Sequence, residues 1–232
     1  NDVRNYLKAM VGIDKDDRMP VLGLQDMINV KKNVPKDKSG NVIAVYYAYG
    51  EIVDEAKPQD LFSQGHQIVA DKVCDDLADL ADDDVIKAVV IRVNSGGGSA
   101  YASEQIWRAI ELLKKKKPVV VSMGGAAASG GYYMSAGANY IYAEPTTLTG
   151  SVGIFGIYQD NSELLTKKLG LKFDEVKTNR NSGYQGALMA RPFTPEELSY
   201  LQAYVNRGYT LFRKRVADGR KMSVDEVEKI AQ

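Results

Sequence analysis

The chain has one cysteine, one histidine and one tryptophan in 232 residues, and its 30 Lys and Arg are balanced by 30 Asp and Glu. A lone thiol, Cys74, excludes any disulfide within the chain. It leaves the redox compartment open, because a chain of this length can build a core that needs no staples. Zero net charge removes the overall basic field that would draw in nucleic acid or an anionic membrane surface. The only dense basic block, Lys114 to Lys117, falls between a helical pattern and a strand and reads as a solvated turn. No run of about 20 strongly apolar residues occurs. The least polar long stretch, Gly124 to Ala143, is too rich in Gly, Ser and Tyr to span a bilayer. No metal site and no cofactor are expected.

What is present is a repeated exchange of strand-like and helix-like segments. Apolar residues at Val3, Tyr6, Leu7 and Met10 predict a helix over 2–12, followed by a polar connection from Asp14 through Gly40. Asn41 to Val53 is β-branched and aromatic and predicts the first strand of the main domain, 41–232. A polar loop carrying His66 follows, then a helix over Gln67–Leu80, a strand over Val85–Val93, a helix over Ser103–Leu113 and a strand over Pro118–Met123. Further on, short strands are expected at Asn139–Ala143 and Phe173–Lys177, with a short helix at Ser162–Leu169 between them. Thr194-Pro195-Glu196-Glu197 has the form of a capping box and opens a helix to about Gly219, and Ser223-Val-Asp-Glu repeats the signature. Alternation of this length predicts an α/β fold of βαβ units around a mostly parallel sheet, whose working groups gather beyond the carboxyl ends of the strands. Two glycine-rich turns, Gly96–Gly98 and Gly124–Gly131, fall on that edge.

The second of them ends PVVVSMGGAAASGG, from Pro118 to Gly131. A strand, a tight turn, Ser129 and then a helix would expose a hydroxyl where free amides and the helix dipole favour developing negative charge. Close helix-to-sheet packing would also select small residues here. Serine needs a base to become a nucleophile. His66 is one candidate. The other is a lysine buried deeply enough to be neutral at working pH, which excludes the solvated 114–117 run. Gly97 or Gly98, together with the N–H of Gly130, would form a two-donor oxyanion hole. A phosphate cradle is disfavoured, since SGGG is followed by no GK[ST] and shows no GxGxxG spacing.

RVNSGGGSAYASE followed by PVVVSMGGAAASGGYYMSAGANYIYAEPTTLTGSVGIFG closely resembles the signal peptide peptidase A (protease IV) family, of the Clp-protease and crotonase structural class. The resemblance runs from about Asn41 to the C-terminus. Residues 1–40 then look like the segment joining the tandem halves of the long bacterial form, and the chain looks like its C-terminal half, truncated at its end. The abrupt start at NDVRNYL and the stop at EKIAQ fit an excised piece.

The resemblance implies a bacterial, membrane-anchored, periplasmic homotetramer that degrades cleaved signal peptides with a Ser/Lys dyad, its anchor being an N-terminal segment outside this chain. It makes Ser129 the nucleophile, Gly97 and Gly130 oxyanion donors, and Ser151 of TGSVG the hydroxyl that supports the lysine. Two departures stand out. Gly96 occupies the place of the usual proline in NSPGGS. Arg180 falls on the position of the lysine in single-domain members, and a guanidinium cannot act as base. Lys177 is the nearest local substitute, but the base is expected from the absent N-terminal half. The alternatives are a crotonase-like acyl-CoA enzyme, which would be indifferent to loss of Ser129, and a non-catalytic oligomeric scaffold.

Overall fold

The computed structural model describes residues 40–56, 65–184 and 187–231. The chain divides into compact units at 1–40 and 41–232. The expected helix over 2–12 lies outside the described residues.

The main sheet is entirely parallel. Strand β1 (Val42–Tyr49) pairs with β4 (Ile86–Ser95), β4 with β5 (Val119–Ala128), and β5 with both β6 (Tyr140–Tyr142) and β7 (Leu148–Gly150). A separate pair, β2 (Glu51–Val53) with β3 (Gln67–Val69), is also parallel. The α/β fold class and the parallel sheet are therefore as the alternation predicts. Helices α1 (Ala70–Asp82) and α2 (Ala100–Lys114) bury Val73, Leu77, Ile106, Ile110 and Leu113 against Val89, Ile91, Val119 and Val121 of the central strands. Side chains of this size contribute about 1.5–3 kcal/mol each on full burial.

Several boundaries differ from expectation, each for a tertiary reason. The 41–53 strand breaks at Gly50, whose amide donates to the Asn94 carbonyl while that of Glu51 turns to the His66 carbonyl. Residues 67–69 form β3 rather than the start of a helix, because β2 offers them a parallel edge. The stretch MGGAAA is strand, not turn. Val93 pairs with Met123 and Ser95 with Ala127, so β5 carries two extra residues opposite β4. Gly124 and Gly125 form this bulge, and the Asn94 side chain accepts from the Ala126 amide at 3.0 Å to close it. A bulge re-aims the strand beyond it, and here it redirects the residues that lead to Ser129. Phe173–Lys177 is not a strand: it pairs with no described strand, and Val176 is 98 % exposed. Residues 164–168 form a single π-helical turn where an ordinary short helix was expected.

The lysine block is also more engaged than a solvated turn. Lys114 donates to the Gly137 carbonyl at 2.6 Å, Lys116 pairs with Asp82, and Lys117 donates to the Leu80 and Asp83 carbonyls at the end of α1. These cations sit where a helix C-terminus favours them.

A second apolar cluster joins the short helix α3 (Gly130–Ser135) to the long helix α5 (Pro195–Arg220), which follows the short α4 (Ala187–Ala190) and precedes α6 (Val224–Ala231). Tyr133 packs on Phe212 with ring centroids 4.5 Å apart, and Trp107, Val216 and Val227 complete the cluster. The predicted capping box is present: Thr194 accepts from the Glu197 amide at 3.2 Å and the Glu197 carboxylate accepts from the Thr194 amide at 2.8 Å. That carboxylate, 2 % exposed, is also gripped by both terminal nitrogens of Arg191 at 2.8 Å. Arg191 first, then the Thr194 amide, pull its pKa from 4.5 down to about 2.

A depressed carboxylate stabilises the fold above its unfolded pKa, and that contribution is lost as the pH falls through the folded value. Glu197→Gln is therefore expected to lower the thermal midpoint at pH 7, with the gap to the parent protein closing as the pH falls from about 4.5 toward 2. A gap independent of pH would contradict this reading.

Candidate functional site

Ser129 stands between the end of β5 and the first turn of α3, with φ 50° and ψ −119°. A non-glycine residue in that region costs on the order of 1–3 kcal/mol and persists only where its surroundings enforce it. The enforcement is visible on both sides. The Ser129 amide donates to the Gly150 carbonyl at 2.9 Å, which ties it to the end of β7, and its carbonyl accepts from the Tyr133 amide at 2.8 Å, which begins the helix. The hydroxyl makes no helix-capping bond and has no hydrogen-bond partner among the described residues. It lines a cavity of about 280 Å³ whose walls include Gly98, Ser103, Tyr133, Ile154 and Phe212.

The glycine turn after Asn94 comes against the same point. A Cβ on Gly97, at φ 107°, would stand 2.8 Å from the Gly130 nitrogen and 2.9 Å from the Ser129 Cβ. A Cβ on Gly98 would stand 2.1 Å from the Ile52 carbonyl oxygen, so neither position admits a side chain. Gly98 bridges Ile52: the Ile52 amide donates to the Gly97 carbonyl and the Ser99 amide to the Ile52 carbonyl. In a parallel bridge the central residue's own amide and carbonyl point to the other side. The Gly98 and Gly130 amides have no partner among the described residues, whereas the Gly97 amide donates to the buried Ser95 hydroxyl at 3.1 Å. Ser95 in turn donates to the Gly50 carbonyl at 2.7 Å.

Beneath the serine, Tyr133 donates to Glu104 at 2.5 Å, and Arg215 pairs with the same carboxylate while stacking 3.9 Å above the Trp107 ring. Burial first, then Glu104, push the Tyr133 phenol upward, so it remains a neutral donor. This network fastens α5 over the short helix that begins after Ser129.

The other predicted residues are distributed as follows. Ser151, at φ 49° and exposed, directly follows the Gly150 carbonyl that receives the Ser129 amide. Lys177 is paired with Glu175 at 2.7 Å and Arg180 with Glu196 at 2.9 Å, and neither lines the cavity. His66 is exposed and likewise absent from its walls. Among the described residues no lysine, histidine or carboxylate lines the cavity, and no cluster of His, Cys, Asp or Glu is arranged to hold a metal ion. Sequence reading missed Ser103, Tyr133, Ile154, Tyr204 and Phe212 as wall residues. Tyr133 alone carried a local signal, lying one helical turn after Ser129.

Comparison with known proteins places this arrangement. The model of peptidase family S49 matches residues 111–232, which include Ser129 and everything that fastens it from the carboxyl side. The chain belongs to peptidase family S49. The Clp protease model matches residues 44–147, in keeping with the parallel sheet. As a member of family S49 the chain is 35 % identical over 233 residues to the chloroplastic serine protease SPPA of Arabidopsis thaliana, covering 100 % of this chain and 34 % of that protein. It is 41 % identical over 196 residues to Protease 4 of Salmonella typhi, covering 84 % of this chain and 30 % of the relative. Against Protease 4 of Haemophilus influenzae the identity is 35 % over 239 residues, with 36 % of the relative covered. The chain thus spans about a third of the length of these relatives.

Because Gly97 combines a positive φ with a contact that a methyl group cannot share, Gly97→Ala is expected to destabilise by more than about 1 kcal/mol, lowering the thermal midpoint by at least about 2 °C. A variant as stable as the parent would show that the turn yields without disturbing Ser129.

Proposed function

We propose that this chain supplies the nucleophile and the oxyanion hole of a serine peptidase that degrades cleaved signal peptides and other hydrophobic peptides. The observation that carries the reading is the unpartnered Ser129 hydroxyl at a cavity, beside the open amides of Gly98 and Gly130. The names of the relatives, a serine protease and two proteases, support it. In the reaction Ser129 Oγ attacks the scissile carbonyl carbon and passes its proton to a base. The carbonyl oxygen becomes an oxyanion held by the Gly98 and Gly130 amides. The C–N bond then breaks as the base returns the proton to the leaving amine, and water repeats the sequence on the acyl-enzyme. The Gly97 amide would join the hole only after leaving Ser95, so its role is conditional on that bond opening.

The base is the lysine of a Ser/Lys dyad contributed from outside this chain, with Ser151 supporting its amine. Two features favour an outside base: among the described residues no lysine, histidine or carboxylate lines the cavity, and the family resemblance aligns Arg180 with the lysine of single-domain members. Lys177, already paired with Glu175, is a poor substitute. The free edge of Gly98 suits an extended peptide pairing through its backbone.

Assembly as a homotetramer fits the large apolar side chains left exposed after the site: Phe155 is 79 % and Ile157 85 % exposed. No helix among the described residues is long and apolar enough to cross a membrane. Attachment to the outer, periplasmic side of a bacterial membrane would therefore use a segment outside them.

The isolated chain is expected to be inactive toward casein and apolar peptides. Adding the N-terminal half of the full-length protein should restore cleavage, and Ser129→Ala should then remove at least about a thousandfold of it. Robust cleavage by the isolated chain would instead establish a local base.

A further inference from the structure

Helices α1 and α2 do not close fully on each other. Between them runs a groove of about 690 Å³ that shares no residue with the cavity at Ser129. From α1 it is lined by Cys74, Leu77, Ala78 and Ala81, spaced three, four and seven apart and so on one helix face. From α2 come Ala109, Leu112 and Leu113. Leu77 and Leu113 are buried in the core and make the floor, while Leu112 stands 47 % exposed at the rim. Larger apolar residues in place of the alanines would fill this space. Its volume and apolar lining suit a small molecule.

The charges around the groove do not balance. Of the two carboxylates that line it, Asp82 is paired with Lys116, and Glu104 is taken up by Arg215 and Tyr133. Arg108 and Lys115 line it too, both exposed, and neither side chain has a hydrogen-bond or ion-pair partner among the described residues. They lie seven residues apart, about two helical turns, and so on the same side of α2 as Leu112. The uncommitted charge is therefore positive and the body of the groove is apolar. A ligand that satisfies both features carries an anionic head on an alkyl chain, and a guanidinium is suited to grip a carboxylate with two parallel hydrogen bonds.

We infer that this groove binds a free long-chain carboxylate, with its alkyl chain along the alanine and leucine strip and its head group held by Arg108 and Lys115. The site is independent of the catalytic reading, since no residue of the Ser129 cavity takes part.

Cys74, the single cysteine of the chain, is a built-in reporter because it lines the groove. The test combines calorimetry with sodium decanoate, the thermal midpoint, and the rate at which N-ethylmaleimide alkylates Cys74. Decanoate is expected to bind one to one, to raise the midpoint, and at saturation to slow alkylation at least about tenfold. Octanoate, two methylenes shorter, should bind about fivefold more weakly. Decyltrimethylammonium should bind at least about tenfold more weakly than decanoate. The exposed pair Arg108→Gln and Lys115→Gln, made together, should weaken decanoate to a similar degree without changing the midpoint of the free protein. Equal affinity for the ammonium analogue, unchanged affinity in the double variant, or bound decanoate that leaves Cys74 as reactive as before would each overturn the inference. So would failure of decanoate to bind while phosphatidylglycerol vesicles, or self-association at high protein concentration, protect Cys74, because the occupant would then be a bilayer or a second copy.

Discussion

The site depends on one constraint: a serine held at positive φ where a parallel strand becomes a helix. That conformation is unfavourable in isolation, so the surroundings must over-determine it. The Gly150 carbonyl fixes the amide side and the first turn of α3 fixes the carbonyl side. The glycine turn from β4 approaches so closely that no Cβ could intervene. The conformation frees the hydroxyl from capping its own helix, which is the usual fate of a serine at that position. The catalytic potential and the local strain are thus two aspects of the same geometry.

The bulge at Gly124–Gly125 and the long helix α5 serve this constraint from opposite directions. The bulge lets β5 slip two residues relative to β4, so that Ser95 and Ala127 are in register and the two glycine turns come together. Helix α5 then presses Phe212 on Tyr133 and is secured by Arg215 on Glu104 and Trp107. Because interiors are close-packed and transmit displacement, the strained turn, the cavity floor and the end of the chain form one mechanical unit.

Much of this was legible in the amino-acid sequence because it is local. The apolar runs of β4 and β5, the helical periodicity of α1 and α2 and the Thr194–Glu197 box are each determined within a few residues, and they appear close to where the pattern places them. The small-residue run around Ser129 correctly marked a strand-to-helix junction, yet it was read as a turn from Gly124 onward because extended glycine and alanine lack the β-branched signature. Strands β3 and β7 exist only because another edge is presented to them, and Phe173–Lys177 shows the converse: a strand-like pattern with no described edge to join. The cavity walls were least legible. Tyr204 and Phe212 lie more than seventy residues after Ser129, and nothing in their local pattern separates a cavity lining from an ordinary helix face. The commitment of the Gly97 amide to Ser95 is likewise a matter of three-dimensional register, not of motif.

The central claim is that Ser129 and the amides of Gly98 and Gly130 converge on one reacting carbonyl. A crystal structure of the protein with a peptide boronate tests it most directly, because boron forms a tetrahedral adduct with the serine oxygen while the hydroxyl proton passes to solvent water. The account predicts a bond from boron to Ser129 Oγ, with one boronate oxygen accepting from the Gly98 and Gly130 amides. An adduct whose oxygens all face away from both amides, or a ligand bound away from Ser129, would contradict it.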